Sequence, residues 1–230
     1  MIQTPFEALI FDLDGTLINS LPDVCASINS VLSDMGHRKL TLNETKNMVG
    51  WGGRFLVEKA LDTTGIKFTE GDVNRALEKF IDTYSNHPND HSTVFPGVLS
   101  MLEKFKSAKI RMGICTNKPK ATTPPVLKSM GLDHFFDVVS CGDAVPYKKP
   151  DGRHISMVVE QLGATKKTSV MIGDSESDIT AAIDAGVRSV AVTFGYAHMP
   201  REELGADALI DHFDDLPKAL MNIASVNIAS

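Results

Sequence analysis

The run FEALIF at residues 6–11 is apolar and stops abruptly at DLDGT. It reads as a buried strand followed by a turn, and it brings Asp12, Asp14 and Thr16 to the strand's carboxyl end. No second strand pattern follows until well past residue 90. Between about residue 20 and residue 93, PDVCASINSVLSDMG, LNETKNMVG, RFLVEKALDTTG and EGDVNRALEKFIDTYSN all read as helices. HPNDHSTVFPG then reads as a connection to another unit. Beyond it strands and helices alternate. IRMGICT, FDVVS, TSVMIGD, RSVAVTFG and the short DALI are the strands. GVLSMLEKFKSAK, a segment starting near Pro125, DGRHISMVVEQLG, SESDITAAIDAG and DLPKALMNIA are the helices. Such alternation demands a parallel sheet flanked by helices. The pattern is that of one α/β unit, 1–18 and 94–230, interrupted by a helical insert over 19–93.

At 230 residues the chain can bury a sizeable core, and 43% hydrophobic with 23% charged residues is an ordinary globular balance. Twenty-three Lys and Arg against 29 Asp and Glu argue against non-specific nucleic-acid binding, which needs a basic footprint. The net charge of -6 still allows a small anionic substrate, because a local cation or metal can reverse the field inside a site. Cys25, Cys115 and Cys141 are widely spaced and read as buried thiols rather than a disulfide framework. The N-terminal stretch lacks signal-peptide character and no apolar run is long enough to span a membrane, so a cytoplasmic protein is expected. The seven histidines read as ordinary surface or core residues rather than as zinc ligands.

In open α/β sheets ligands bind beyond the carboxyl ends of the strands. Asp12, Asp14 and Thr16 follow the first strand, Thr116 and Asn117 end the second, Lys148 and Lys149 lie after the third, and Asp174 and Asp178 follow the fourth. Four carboxylates brought together repel one another unless a cation sits among them. Hard oxygen ligands of this kind suit Mg²⁺, which shares its coordination with substrate phosphate oxygens.

This constellation resembles the haloacid dehalogenase-like hydrolase superfamily. FDLDGTL resembles its first motif, CTN its second, KKP its third and GDSESD its fourth, in that order. The resemblance covers essentially the whole chain and implies a Rossmann-like α/β core with an α-helical cap inserted after the first motif. It implies that Asp12 is a nucleophile attacking phosphorus and that Asp14 is the general acid and base. Thr16 would fix the turn that aims Asp14. Thr116 and the Asn117 amide would hold phosphoryl oxygens, and Lys149, next to Pro150, would be the cation. Asp12, the Asp14 carbonyl and Asp174 would bind Mg²⁺, with Asp178 acting through metal-bound water.

The resemblance therefore implies a phosphatase of a small phosphorylated metabolite. A dehalogenase would not need the acid Asp14. A phosphomutase of this type often lacks the Thr found at Thr16. A phospho-accepting receiver module is about half this length and has no cap, and a silent binding protein would have lost one of these side chains. VGWGGRFLVEKAL resembles the glycine-rich cap segment of phosphoglycolate phosphatases, which makes 2-phosphoglycolate the leading substrate. KKPDGRH departs from the second proline usual in that group. Sugar phosphates, amino-sugar phosphates and pyrophosphate are the alternatives. Within this segment Gly50, Trp51, Gly52, Gly53 and Arg54 are the candidate substrate contacts. The glycines would admit close backbone approach, Trp51 would exclude water, and Arg54 would meet an anionic leaving group.

Overall fold

The computed structural model describes residues 4–65 and 67–225. Strand β1 (Ala8–Phe11) is fully buried and lies in the middle of a six-stranded sheet. On one side it pairs with β4 (Arg111–Thr116), and β4 with β5 (Val138–Cys141). On the other side follow β6 (Ser169–Gly173), β7 (Arg188–Val192) and β8 (Ala208–Ile210). All these pairings are parallel, in the order β5-β4-β1-β6-β7-β8. Chain order reverses direction at β1, so the crevice at its carboxyl end lies between connections that run opposite ways.

The two-residue period of β1 explains the layers. Leu9 and Phe11 share one core cluster with Phe105 of helix α5 (Val98–Ser107) and Leu220 of α9 (Leu216–Ser225). Ala8 and Ile10 join the opposite cluster, with Ile155 and Val158 of α7 (Gly152–Gln161) and Ala181 of α8 (Glu176–Ala185). Helix α6 (Thr123–Ser129) carries Pro124 and Pro125 within its first turn, where the missing N–H groups would be unpaired anyway. The sequence places this start near Pro125; the helix begins two residues earlier for that reason.

Four helices fill the interruption between β1 and α5: α1 (Leu21–Asp34), α2 (Leu42–Lys46), α3 (Gly53–Thr63) and α4 (Glu70–Asn86). The sequence pattern overextends α2, which stops at Lys46 before a turn leading to the glycine-rich stretch. Thr41 and Thr69 form capping boxes with Glu44 and Asp72, which fixes where α2 and α4 start. The sequence pattern misses one pairing. Strands β2 (Ile18–Asn19) and β3 (Thr93–Val94) lie antiparallel where the chain enters and leaves the helical segment. At two residues each, they are too short to show a period.

A buried carboxylate fastens the same junction. Asp23 on α1 is 2% exposed and accepts from the His91 amide at 2.9 Å and from the Ser92 amide and hydroxyl at 2.7 and 2.5 Å. Among the described residues all three cysteines are free and buried, and no helix is long and apolar enough to cross a membrane.

Replacing Asp23 by Ala leaves the His91 amide and the buried Ser92 amide without this acceptor. The expected loss is roughly 1.5–3 kcal/mol of stability, read as a lower urea midpoint with an unchanged slope.

Candidate active site

The carboxyl ends of β1, β4 and β6 converge on one cluster. Asp12 follows β1 directly, and Lys149 reaches it from the loop before α7, with Nζ 2.7 Å from Asp12 Oδ1. The same ammonium lies 2.5 Å from Asp178 Oδ1. The neighbouring lysines part company: Lys148 turns outward and donates to the Trp51 carbonyl at 3.1 Å. Among the described residues, Asp12 Oδ2 takes no hydrogen bond, which leaves one oxygen of this buried carboxylate open.

Asp178 is held by the protein's own donors on both of its oxygens. Its Oδ2 accepts from the amides of Asp174 and Ser175 at 3.1 and 3.0 Å and from the Ser175 hydroxyl at 2.7 Å. With Oδ1 on Lys149, this carboxylate accepts four hydrogen bonds, three of them on Oδ2. This follows from its place in the first turn of α8, where free amides attract an acidic side chain. A Cβ on Gly173 would come within 2.3 Å of the Asp178 side chain, so a residue without one is required there.

Asp174 Oδ1 accepts from the Thr16 hydroxyl at 3.1 Å, and Oδ2 from the Tyr196 amide at 2.5 Å. The sequence expectation gives Thr16 the turn that aims Asp14; its amide bonds the Leu13 carbonyl within that turn at 3.4 Å, and its hydroxyl also orients Asp174. Carboxylate oxygens of Asp12, Asp174 and Asp178 lie within 4.8 Å of one another. The Asp14 carboxylate stands outside this group, so only the main-chain carbonyl expected for it remains as a metal ligand.

Burial pushes the Asp12 carboxyl up to about 7; Lys149 opposes the rise and Asp178 adds to it. Burial, then Asp178 and Asp12, hold Asp174 well above the usual carboxylate range. Burial disfavours the Lys149 charge, but Asp12 and Asp178 more than offset this and keep it protonated. Among the described residues the four carboxyl groups of Asp12, Asp14, Asp174 and Asp178 face two cations, Lys118 and Lys149, so two of these groups have no cation of their own. A divalent cation with oxygen ligands fits that donor set, with Asp12 and Asp174 as the carboxylates that have lone pairs to spare.

Lys118 is the residue the sequence analysis missed. It is 6% exposed, and its Nζ lies 2.9 and 3.1 Å from the Asp14 oxygens and 3.0 Å from the Tyr84 hydroxyl of α4. The available signal was its position in CTNK, directly after the strand-end Thr116 and Asn117. Thr116 is buried at the end of β4, and its hydroxyl accepts from the Lys118 amide at 3.2 Å. The Asn117 side chain donates at 2.9 Å to both Gly50 and Lys149 carbonyls, and so joins the helical segment to the sheet edge.

The glycine-rich stretch divides. Gly50, Gly52 and Gly53 line the cavity above Asp12 and Asp14, together with Thr116, Lys118 and Tyr84. A Cβ on Gly52, whose φ is +96°, would lie 3.3 Å from the Asn117 carbonyl. Trp51 and Arg54 do not line that cavity. Trp51 packs against Phe55, ring centroids 6.0 Å apart. Arg54 is turned along the outside of α3, paired with Glu58 at 2.9 Å, with Glu70, and with Asn74 at 3.0 Å. At the start of α3 its side chain follows the acidic partners on its own helix and on α4, away from the site.

These shifts have a measurable sign. A carboxyl whose folded pKa is raised contributes stability below its unfolded pKa and loses it as pH rises through the folded value. For Asp12 that window runs from 3.8 to about 7. With a chelator present, the melting temperature is expected to fall between pH 5.5 and 7.5. Adding a divalent cation at pH 7.5 should restore it, and Asp12→Asn should flatten the slope.

Comparison with known proteins agrees with this geometry. Residues 9–192 match the family model described as haloacid dehalogenase-like hydrolase. A phosphoglycolate phosphatase of Agrobacterium fabrum is 36% identical over 96% of this chain and 95% of its own. One from Caulobacter vibrioides is 37% identical over 94% and 91%. The crystal structure of a predicted phosphoglycolate phosphatase from Haemophilus somnus 129pt superposes with a TM-score of 0.90 at 32% identity, covering 94% of this chain and 98% of that one. Shared family model, near full-length relatives and common architecture lead to one conclusion: the chain belongs to the haloacid dehalogenase-like hydrolase family.

Proposed function

We propose that this protein is a Mg²⁺-dependent phosphatase of small phosphate monoesters, with 2-phosphoglycolate as its leading substrate. One observation carries the proposal. Asp12 has one oxygen fixed by Lys149 and the other free, and it faces a cavity that Asp14 also lines. That is the arrangement a nucleophile and a neighbouring acid require. The names of the full-length relatives supply the substrate.

Asp12 Oδ2 attacks phosphorus, the bond to the ester oxygen breaks, and Asp14 gives that oxygen a proton. Asp14 then takes a proton from water, whose oxygen displaces Asp12 from phosphorus and releases inorganic phosphate. Thr116 and the Asn117 amide hold the phosphoryl oxygens, and Lys149 balances charge on Asp12 and on the phosphoryl group. Mg²⁺, held by Asp12, Asp174 and the Asp14 carbonyl, would neutralise the remaining phosphoryl charge. Residues 1–18 and 94–230 act as the catalytic core. The helices of 19–93 act as a cap that excludes water and admits the leaving group. Asp178 sets Lys149 and the main chain of Asp174.

A phosphate-release screen with Mg²⁺ tests this. It should cover 2-phosphoglycolate, hexose phosphates, amino-sugar phosphates, nucleotides and pyrophosphate, with 2-phosphoglycolate expected to give the highest kcat/KM. Asp12→Asn should lose turnover while keeping a cooperative melt. Normal steady-state hydrolysis by that variant would remove Asp12 as the nucleophile.

A further inference from the structure

The family chemistry accounts for the phosphoryl end of the cavity and leaves the other end unassigned. Among the described residues lining it, Lys118 is the only cation. Lys149 is committed beneath Asp12, Lys148 binds a main-chain carbonyl, and Arg54 faces outward. The side chain of Lys118 is buried against the face of Tyr84, with Nζ 4.2 Å from the ring centroid. The Tyr84 oxygen accepts from Lys118, and among the described residues its own proton has no acceptor. Tyr84 is 1% exposed, so this is a buried donor at the cavity wall without a partner.

An ammonium and a free phenolic proton side by side make a receptor for a carboxylate. Their position sets the reach. Lys118 lies 2.9 Å from Asp14, the acid that must touch the ester oxygen. An anionic group bonded to the carbon next to that oxygen therefore falls beside Lys118. A longer chain would carry it past. Without this counter-charge, a second anion would be repelled by Asp12, Asp14 and Asp174, which line the same cavity.

We propose that Lys118 and Tyr84 form the leaving-group subsite and receive a carboxylate carried one carbon from the ester oxygen. The inference rests on the phosphatase function proposed above and narrows its substrate class to phosphorylated 2-hydroxy acids of minimal size. It also moves anion recognition from Arg54, where the sequence places it, to the core side of the cavity.

The test compares 2-phosphoglycolate with 2-hydroxyethyl phosphate, which keeps the chain and replaces the carboxylate by a neutral alcohol. The unaltered enzyme should prefer 2-phosphoglycolate. Lys118→Met should erode that preference by roughly 10- to 100-fold, mainly through KM, as expected for one charge-assisted hydrogen bond. Lys118→Arg should keep most of it, and Tyr84→Phe, which preserves shape, should lose several-fold on 2-phosphoglycolate alone. Equal losses on both esters, chiefly in kcat, would overturn the subsite and leave Lys118 as a positioning residue for Asp14. Hydrolysis of both esters without preference by the unaltered enzyme would overturn the subsite while the phosphatase stands. Phosphate release from no ester would sink the phosphatase itself. If Lys118→Met fails to give a cooperative melt, Lys118→Arg and Tyr84→Phe decide.

Discussion

A lysine buried to 1% exposure is tolerable only when its charge is fully paired, and Lys149 meets that condition between Asp12 and Asp178. The pairing reaches across three elements. It ties the end of β1 to the loop before α7 and to the first turn of α8. Removing either partner would leave an uncompensated charge in the interior, which typically costs about 3–5 kcal/mol. The same contact fixes which oxygen of Asp12 is spent on structure and which stays open. Placement of the open Asp12 oxygen is thus a by-product of the electrostatics that let the sheet edge fold at all.

Asp178 and Asp174 divide the remaining work. In GDSESD the two acids are four apart, so one turn of helix stacks Asp178 beneath the main chain that carries Asp174. Asp178 spends its lone pairs on the Asp174 and Ser175 amides, and Asp174 is then aimed by Thr16 and Tyr196. A metal ion arriving here would find its carboxylates already oriented, so little ordering remains to be done on binding.

The sheet was legible because its central strands are buried on both faces and read as apolar runs; five of the six strands fall within the segments the pattern marks, and the edge strand β5 runs one residue past its segment, to Cys141. Carboxylates, Thr116 and Lys149 were legible as a group because strand ends in a parallel sheet collect at one edge. Two things were not. The β2–β3 pair is too short for any periodicity. Tyr84 lies on α4 within the helical segment and Lys118 just after β4, 34 positions apart in the chain, and no local pattern links them. Residue type alone made Arg54 look equally suited, since a cation beside glycines could face a ligand. Its environment decides otherwise: Glu58, Glu70 and Asn74 offer partners at the surface with no desolvation to overcome.

The contrast between Arg54 and Lys118 explains why such a cap is hard to interpret from sequence. An exposed arginine with acidic neighbours has little reason to be near a ligand. A lysine buried against a tyrosine and one carboxylate stays charged, because Asp14 and Tyr84 offset the cost of burial. The Tyr84 proton, without an acceptor among the described residues, is the donor that something entering the cavity can use. On the proposal above, selectivity would reside in a cation of the sheet edge capped by Tyr84 of α4, not in the glycine-rich stretch of 50–54. The glycines of 50–53 take a simpler part. They let the main chain lie close to Asn117, whose side chain holds the Gly50 carbonyl, so the cavity roof sits on the same residue that ends the second strand of the chemistry.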